Sequence, residues 1–407
     1  MTSPAAPERN TPAALLCWTE DGQAREARWL CAGDSRPPSR IVVVDDPLRA
    51  DAAYRHACSG TAMLWRGDYH NARQLLAALT RRHAAAASKT PKRQKRPQQD
   101  SPDPVPQDPR SLFNRYRLAQ SQRAHLLGTL LIPMEPDYRI ALRRAPDVRE
   151  ACEAAWGPLH APAVLSLRSL LGVIGAHEWR QRGVFIDALQ ARIHPHYGVF
   201  SPVRGEYLQL LAEAPLPEAA HTLALDIGTG TGVLAALLCQ RGVQHVLATD
   251  LDPRALACAS DNLQRLGLQA RVSLQQTDLF PAETRAALVV CNPPWLPARP
   301  TTPIEQAVYD PDSRMLRGFL QGLGKHLTAD GEGWLILSDL AERLGLRTRT
   351  ELLEWIDAGG LSVIDRLDTR PVHRKAHDDT DPLHQARRDE ITSLWRLRLS
   401  RPEQRAR

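Results

Sequence analysis

At 407 residues the chain can bury a substantial core and has room for two or three domains. Its hydrophobic share of 43% and charged share of 24% are those of a folded globular protein, which excludes a wholly disordered or fibrous chain. The net charge of +6 suits an encounter with a polyanion such as RNA or a ribosome, and suits plain solubility equally well. Seven cysteines, at 17, 31, 58, 152, 239, 258 and 291, form no CxxC pair, and 239, 258 and 291 fall within predicted helix or strand, as reduced core cysteines do. No apolar stretch approaches the ~20 residues that span a bilayer, and the first residues lack the basic-then-apolar order of a secretory signal. A cytoplasmic protein with no membrane partner is expected.

In chain order, Ala13 to about Arg82 patterns as a small α/β unit: "RIVVVDD" is a β-branched run, "DPLRADAAYRHA" helical, "TAMLW" a short strand and "NARQLLAALTRRH" an amphipathic helix. This region, 1–87, is too short for a complete nucleotide-binding fold. Over 88–110, "SKTPKRQKRPQQDSPDPVPQDPR" sets five basic residues before proline and aspartate. Such a composition cannot form a core and reads as a linker, either simply solvated or in loose contact with RNA. Residues 111–190 read as a helical module, because "LFNRYRLAQSQRAHLLGTLL", "DVREACEAAW" and "AVLSLRSLLGVIGAHEWRQRG" carry apolar residues three and four apart between prolines. "ARIHPHYGVFSPVRGEYLQLLAEA" then looks like an extended lead-in to a helix from about Arg204 to Ala214. From Leu223 strands alternate with helices, the signature of a doubly wound, mostly parallel sheet, so 191–407 is expected to be one α/β domain.

"TLALDIGTGTGVLAALLCQRG" places a strand ending at Asp226, a turn and a helix in succession. Gly228, Gly230 and Gly232 let the backbone turn sharply and pass close to a ligand above the strand ends. In "HVLATDLDPRALACASDNL" the acid Asp250 stands 18 positions after Gly232, where a ribose-binding carboxylate belongs. A nicotinamide enzyme would carry GxGxxG, with its third glycine at what is here Val233, so that chemistry is disfavoured. "QQTDLF" adds a third acid, Asp278, either at the ligand or capping a helix before "PAETRAA". "LVVCNPPWLP" then ends an apolar run in a rigid polar elbow.

The elbow suits a particular acceptor. An amide or exocyclic amino nitrogen is planar, and its delocalised lone pair makes it a poor nucleophile. The side-chain oxygen of Asn292 and the carbonyl of Pro293 can each accept one N–H of an NH₂ group, turning the nitrogen towards tetrahedral geometry and aiming its lone pair. Pro293 and Pro294 fix that carbonyl in advance, and Trp295 offers a flat face to a flat acceptor. An Asn-Pro-Pro at a strand end can also be a mere turn, a reading disfavoured here because the elbow follows three motifs in the correct order.

Taken together, the glycine turn, "DLDPRAL", "QQTDLF" and the elbow resemble class I S-adenosylmethionine-dependent methyltransferases of doubly wound, Rossmann-like fold. The resemblance implies a cofactor site of Asp226, Gly228, Thr229, Gly230, Gly232, Asp250, Leu251, Asp278, Leu279 and Asn292. In it the glycine turn wraps the methionine part, Asp250 accepts from the ribose hydroxyls, Leu251 packs on the adenine, and Asp278 lies beside the adenine amino group with Leu279. The elbow is similar to the [NDS]PP[YFW] motif of N-methyltransferases, which implies Asn292, Pro293, Pro294 and Trp295 as catalytic residues. Over roughly 190–340 the chain looks most like the protein-(glutamine-N5) release-factor methyltransferases and the related small-domain ribosomal RNA methyltransferases. Tryptophan stands at 295 where the glutamine enzymes usually carry tyrosine.

Tyr197, Phe200 and Arg204, with Trp295, are expected to line the acceptor pocket, as the corresponding segment does in the family, or else to serve packing. His194 and His196 share a face of an extended chain but have no acid or cysteine at ligand spacing, so no metal is expected. Glu305, Tyr309 and Asp310 either contact the acceptor or cap the helix that follows. The polar stretch Asp368 to Glu390 reads as a mobile loop or a substrate grip. No Ser/His/Asp order and no phosphate-loop lysine supports a hydrolase or kinase. The expectation is methyl transfer to a protein glutamine, in a translation factor or ribosomal protein; the alternatives are an exocyclic amino group in RNA or DNA, and a cofactor-binding module without chemistry.

Overall fold

The computed structural model describes residues 14–31, 36–88, 108–202, 205–372 and 378–400. Most of the predicted 88–110 linker and Arg204 lie outside the described residues. The chain forms two compact units, 1–107 with 115–177, and 108–114 with 178–407.

The first unit opens on an antiparallel hairpin of β1 (Leu15–Glu20) and β2 (Gln23–Leu30), joined through Asp21 and Gly22, both at positive φ, +51° and +76°. An Asp-Gly pair is the strongest short-range signal for such a turn, and it was available in the sequence. There follow β3 (Ile41–Val44), α1 (Ala50–Cys58), β4 (Ala62–Trp65), α2 (Tyr69–Ser88), α3 (Pro109–Leu127), β5 (Leu130–Met134), α4 (Arg149–Trp156), β6 (Ala163–Ser166) and α5 (Leu167–Arg182), of which α3 up to Asn114 and α5 from Glu178 belong to the second unit. All six strands join one sheet in the order β1-β2-β6-β5-β4-β3. This overturns the separation of a small amino-terminal region from a helical module at 111–190. "AVLS" and the first two residues of "LLIPM", predicted as parts of helices, lie in central strands that are almost wholly buried. A short apolar run has no period to distinguish a doubly buried strand from a helix segment, and β6 finds its partner β2 135 positions away, as in the pairing of Ala163 with Arg28.

The second unit carries a two-stranded antiparallel ribbon, β7 (Val184–Ile186) and β8 (Ala191–Ile193), and then α6 (Glu206–Glu213). Its main sheet is built from β9 (Leu223–Ile227), α7 (Val233–Gln240), β10 (His245–Asp250), α8 (Pro253–Arg265), β11 (Val272–Gln276), β12 (Ala286–Cys291), α9 (Arg314–His326), β13 (Leu327–Ser338), α10 (Leu340–Arg343), α11 (Arg349–Ala358), β14 (Leu361–Thr369), α12 (His384–Arg388) and β15 (Thr392–Leu399). The seven strands run β11-β10-β9-β12-β13-β15-β14, parallel as far as β13, with β15 antiparallel to both its neighbours. This is the doubly wound, Rossmann-like architecture expected from Leu223 onward. Every residue of β12 is buried, as a parallel strand covered on both faces must be.

At its antiparallel edge this sheet encloses a charge. Glu332 on β13 is 1% exposed and accepts from Trp334 Nε1 at 2.9 Å, from Arg396 at two positions and from Arg398. Burial acts to raise its pKa, but the bonds from Arg396 and Trp334 hold it below the usual carboxylate range. Glu332→Ala would leave these donors facing a buried void, and a loss of about 3–5 kcal/mol is expected, read as a shift of the urea midpoint.

The order of strands reverses direction at β9, which lies between β10 and β12, and the crevice at such a switch point is where open α/β sheets bind ligands. Ile227 pairs with Thr249 on one side and Cys291 on the other. Gly228, Asp250 and Asn292 therefore each emerge one residue beyond the same level, at the carboxyl edge.

Candidate active site

The glycine turn follows β9. Gly228, Gly230 and Gly232 all have positive φ, +75°, +56° and +80°. The backbone angle demands glycine at Gly228 and at Gly232; at Gly232 a Cβ would also crowd Ala259 Cβ on α8 at 3.2 Å, while at Gly228 it would meet Met315 Cε on α9, the movable end of a flexible side chain, at 2.5 Å. The turn is tied to β10: the amides of Gly228 and Thr229 both donate to the Thr249 carbonyl, at 2.9 and 2.8 Å.

Asp226, wholly buried, holds the turn from below. Its Oδ2 accepts from the Thr229 hydroxyl at 2.7 Å and from the Ala235 amide in the first turn of α7 at 3.1 Å. Its Oδ1 is buried with no partner among the described residues. Burial pushes its pKa up to about 7, against those two bonds, which favour the charged form. Because the folded chain holds this proton above the ordinary carboxylate range, folding binds protons in that window. The contribution of Asp226 to the stability of the unliganded protein is then greatest below the ordinary carboxylate range and is lost as pH rises towards 7. Between about pH 5 and pH 7, wild type should lose about 2–3 kcal/mol relative to Asp226→Asn in urea unfolding. Parallel curves for the two proteins would refute this.

Asp250 ends β10. Its Oδ2 accepts from the Gly230 amide at 3.0 Å and its Oδ1 from the Asp252 amide at 2.9 Å, while burial raises its pKa. Leu251 beside it is 57% exposed, an apolar side chain left uncovered at the mouth of the crevice. Asp278 caps no helix; its carboxylate pairs with Arg314 at the start of α9. Leu279 takes a left-handed φ of +70°, and its carbonyl accepts from the Thr249 hydroxyl at 2.6 Å.

The elbow leaves β12 with Asn292 half-buried and Pro293 buried. Trp295 Nε1 donates to Asn292 Oδ1 at 2.9 Å. This contact was not foreseen from sequence, where Trp295 served only as a flat face. It settles which end of the amide is presented, because only the oxygen can accept from an indole N–H. Tyr207 of α6 stands edge-on to Trp295, with ring centroids 6.4 Å apart and planes at 87°. The chain beyond is fastened by the Leu296 amide donating to Val308 and the Asp310 amide donating to Leu296. Asp310 is the helix cap of its two predicted roles: its buried carboxylate accepts from the amides of Met315 and Leu316. Glu305 accepts from the amide and hydroxyl of Thr301, and Tyr309 pairs with Leu296 in a β-bridge.

The lead-in segment is fastened to α8. His194 donates its amide to Asn262 Oδ1 at 2.7 Å, His196 Nε2 meets Asp261 at 2.8 Å, and Arg180 shares that carboxylate at 2.9 Å. Asn262 continues to the Thr231 carbonyl in the glycine turn. Among the described residues no group of three or more histidine, cysteine or acidic side chains is placed to hold a metal. Tyr197 and Phe200 are half-buried on this segment, on either side of Val199, which packs on Ala255 and Cys258. The stretch 378–390 is folded rather than simply extended, containing α12 and a pairing of Asp381 with Arg387, while 373–377 lie outside the described residues. Sequence reading also missed Arg314 and Met315, which the start of α9 brings to Asp278 and Gly228.

A glycine turn, an acid at the end of the second strand and a proline elbow at the end of the fourth, all at one switch point, define a class I S-adenosylmethionine-dependent methyltransferase domain. Residues 190–341 match the family model of the methyltransferase small domain. The chain is 34% identical over 178 residues to a release factor glutamine methyltransferase of Cereibacter sphaeroides, covering 39% of this chain and 60% of that one. It is 38% identical over 97 residues to a tRNA1(Val) (adenine(37)-N6)-methyltransferase of Vibrio parahaemolyticus (23% and 40%), and 26% identical over 139 residues to a ribosomal protein L11 methyltransferase of Photorhabdus laumondii (34% and 44%). The chain thus spans less than two thirds of these relatives' lengths. Among the described residues no helix is long and apolar enough to cross a membrane.

Proposed function

We propose that this protein transfers a methyl group from S-adenosylmethionine to a planar NH₂-type nitrogen, with a protein glutamine amide as the acceptor. The observation that carries the reading is the Trp295-to-Asn292 hydrogen bond, which presents an amide oxygen at the level where the glycine turn and Asp250 emerge. Similarity to a release factor glutamine methyltransferase supports a glutamine acceptor in a translation factor or ribosomal protein. Similarity to a tRNA adenine-N6 methyltransferase supports an exocyclic amino group of RNA as the second acceptor, chemically the same kind of nitrogen.

The residues fit the cofactor: the unpartnered Asp226 Oδ1, the uncovered Leu251 and the open space above Gly230 form one border of the crevice. Asp250, Leu251, Asp278 and Leu279 would hold its nucleoside, and Asp226 with the Gly228–Gly232 turn its amino-acid part. When bound, it supplies a sulfonium methyl, an electrophile strong enough for a weak nucleophile. Asn292 Oδ1 has two acceptor sites, one taken by Trp295 and one left for an acceptor N–H. Among the described residues no donor engages the Pro293 carbonyl, which takes the second N–H. Both oxygens are immobile, one through the indole and the other through two prolines, so little ordering is left to the transition state. The ring of Trp295 offers a flat face to the acceptor plane. The proton released as nitrogen becomes tetrahedral passes from the N–H to solvent, since neither oxygen is basic enough to retain it.

The test incubates the protein with methyl-tritiated cofactor and a cell extract, followed by separate protease and ribonuclease treatment. Label released by protease supports the glutamine reading and label released by ribonuclease the RNA reading. Absence of label with cofactor still bound refutes both.

A further inference from the structure

The first unit carries exposed arginines that the methyl-transfer reading does not use. Its helices α2 and α3 belong to the single crossover that joins parallel strands β4 and β5. They span 39 residues with seven arginines and no aspartate or glutamate. With 46 acids in 407 residues, a stretch of that length would ordinarily hold about four. An arginine-rich composition alone would add cations without removing acids, so this imbalance is not simply a property of the whole chain.

Burial shows which parts of these helices are needed for folding. In α2 the inner stripe is Ala72, Leu75, Leu76 and Leu79, while Arg73, Arg81 and Arg82 are exposed. In α3 every residue from Leu118 to Arg123 is exposed, more than a full turn with no buried side, and Leu118 is 59% exposed. A helix segment that contributes nothing to a core and carries only positive charge is not explained by stability.

Tertiary folding concentrates the charge further. Arg168, at the start of α5, lies near enough to Arg123 of α3 that partial burial and then the Arg123 charge push its guanidinium below the ordinary value. Among the described residues none of Arg73, Arg81, Arg123 and Arg168 forms an ion pair. Like charges held together without a carboxylate cost free energy in the isolated protein, and a polyanion repays it by binding.

We infer that the first unit binds RNA through the arginines of α2, α3 and the start of α5. Arginine is suited to this role because its planar fork bonds two phosphate oxygens at once and stacks on bases. The charges are spread along two long helices and the start of a third, which suits a backbone of regularly spaced phosphates better than a single carboxylate or a short acidic peptide. The inference does not depend on which nitrogen is methylated, since a protein acceptor on a ribosome and a base in RNA would both place the enzyme against RNA.

The experiment measures fluorescence anisotropy of the full-length chain with a fluorescein-labelled RNA hairpin of about 30 nucleotides, across a salt series. The wild type is compared with Arg73→Gln/Arg81→Gln and with Arg73→Gln/Arg81→Gln/Arg123→Gln/Arg168→Gln. The fourfold variant should bind at least about tenfold more weakly near 150 mM salt, and its log–log salt slope should be shallower by about 2–4, each lost phosphate contact contributing about 0.7–0.9. The double variant should fall between. Cofactor affinity by calorimetry, a property of the other unit, should be the same in all three, which separates this inference from the methyl-transfer reading and verifies folding. Equal RNA affinity and slope in the double variant and wild type, no RNA binding by wild type, or competition by poly-L-glutamate as effective as that by unlabelled RNA would each overturn it.

Discussion

Asn292→Ala should lower turnover by about two to three powers of ten while leaving cofactor affinity within about a factor of two, the pattern for loss of one group that acts only in the transition state. Two effects add. The substitution removes an acceptor for the nucleophile's N–H, and it releases the Trp295 indole, whose Nε1 donates to Asn292 at 2.9 Å. Trp295→Phe separates them: it keeps an aromatic face, smaller than the indole, and the Asn292 amide, but removes the bond that sets which end of the amide is presented. About a tenfold loss of turnover is expected for this variant, with unchanged cofactor affinity. Single-turnover rates together with calorimetric cofactor titration measure both quantities. Equal loss of binding and turnover in Asn292→Ala would contradict the assigned division of labour.

Asp250→Ala should act in the opposite sense. A dissociation constant for S-adenosylmethionine raised by about one to two powers of ten is expected, because a carboxylate that accepts from a ligand contributes about 1.5–3 kcal/mol, and its removal also disturbs the turn. In the unliganded protein that same carboxylate accepts from the Gly230 amide, so it shapes the glycine turn as well as facing the crevice. Once the cofactor saturates, turnover should return to near the wild-type value. A kcat that stays low at saturation would mean that Asp250 positions the reacting atoms, not only the ligand.

Much of the second unit was legible in the order of residues. Asp226, the three glycines, Asp250, Asp278 and Asn292 through Trp295 are local signals: each is a backbone angle, a rigid ring or a charge placed next to a strand that its own composition announces. The alternation of strands and helices then dictates that such residues gather at one edge, since parallel strands all end on the same side. The role of Asp310 was readable only as a pair of alternatives, capping or acceptor contact, because both put a carboxylate just before a helix.

What only tertiary structure decided depends on partners distant in sequence. The buried strands "LLIPM" and "AVLS" have no periodicity of their own and became strands because β4 and β2 offered them edges. His196 had no acid nearby in the sequence, yet folding brings Asp261 to it from 65 positions away. Arg123 and Arg168 were two ordinary surface arginines until the first sheet placed them together. The hydrogen bond between Trp295 and Asn292 spans only three residues, but whether it forms depends on the elbow's exact angles and on Tyr207 arriving from α6. Local stereochemistry can be read from neighbours along the chain, whereas pairing, burial and charge proximity depend on which distant segments the hydrophobic core brings together.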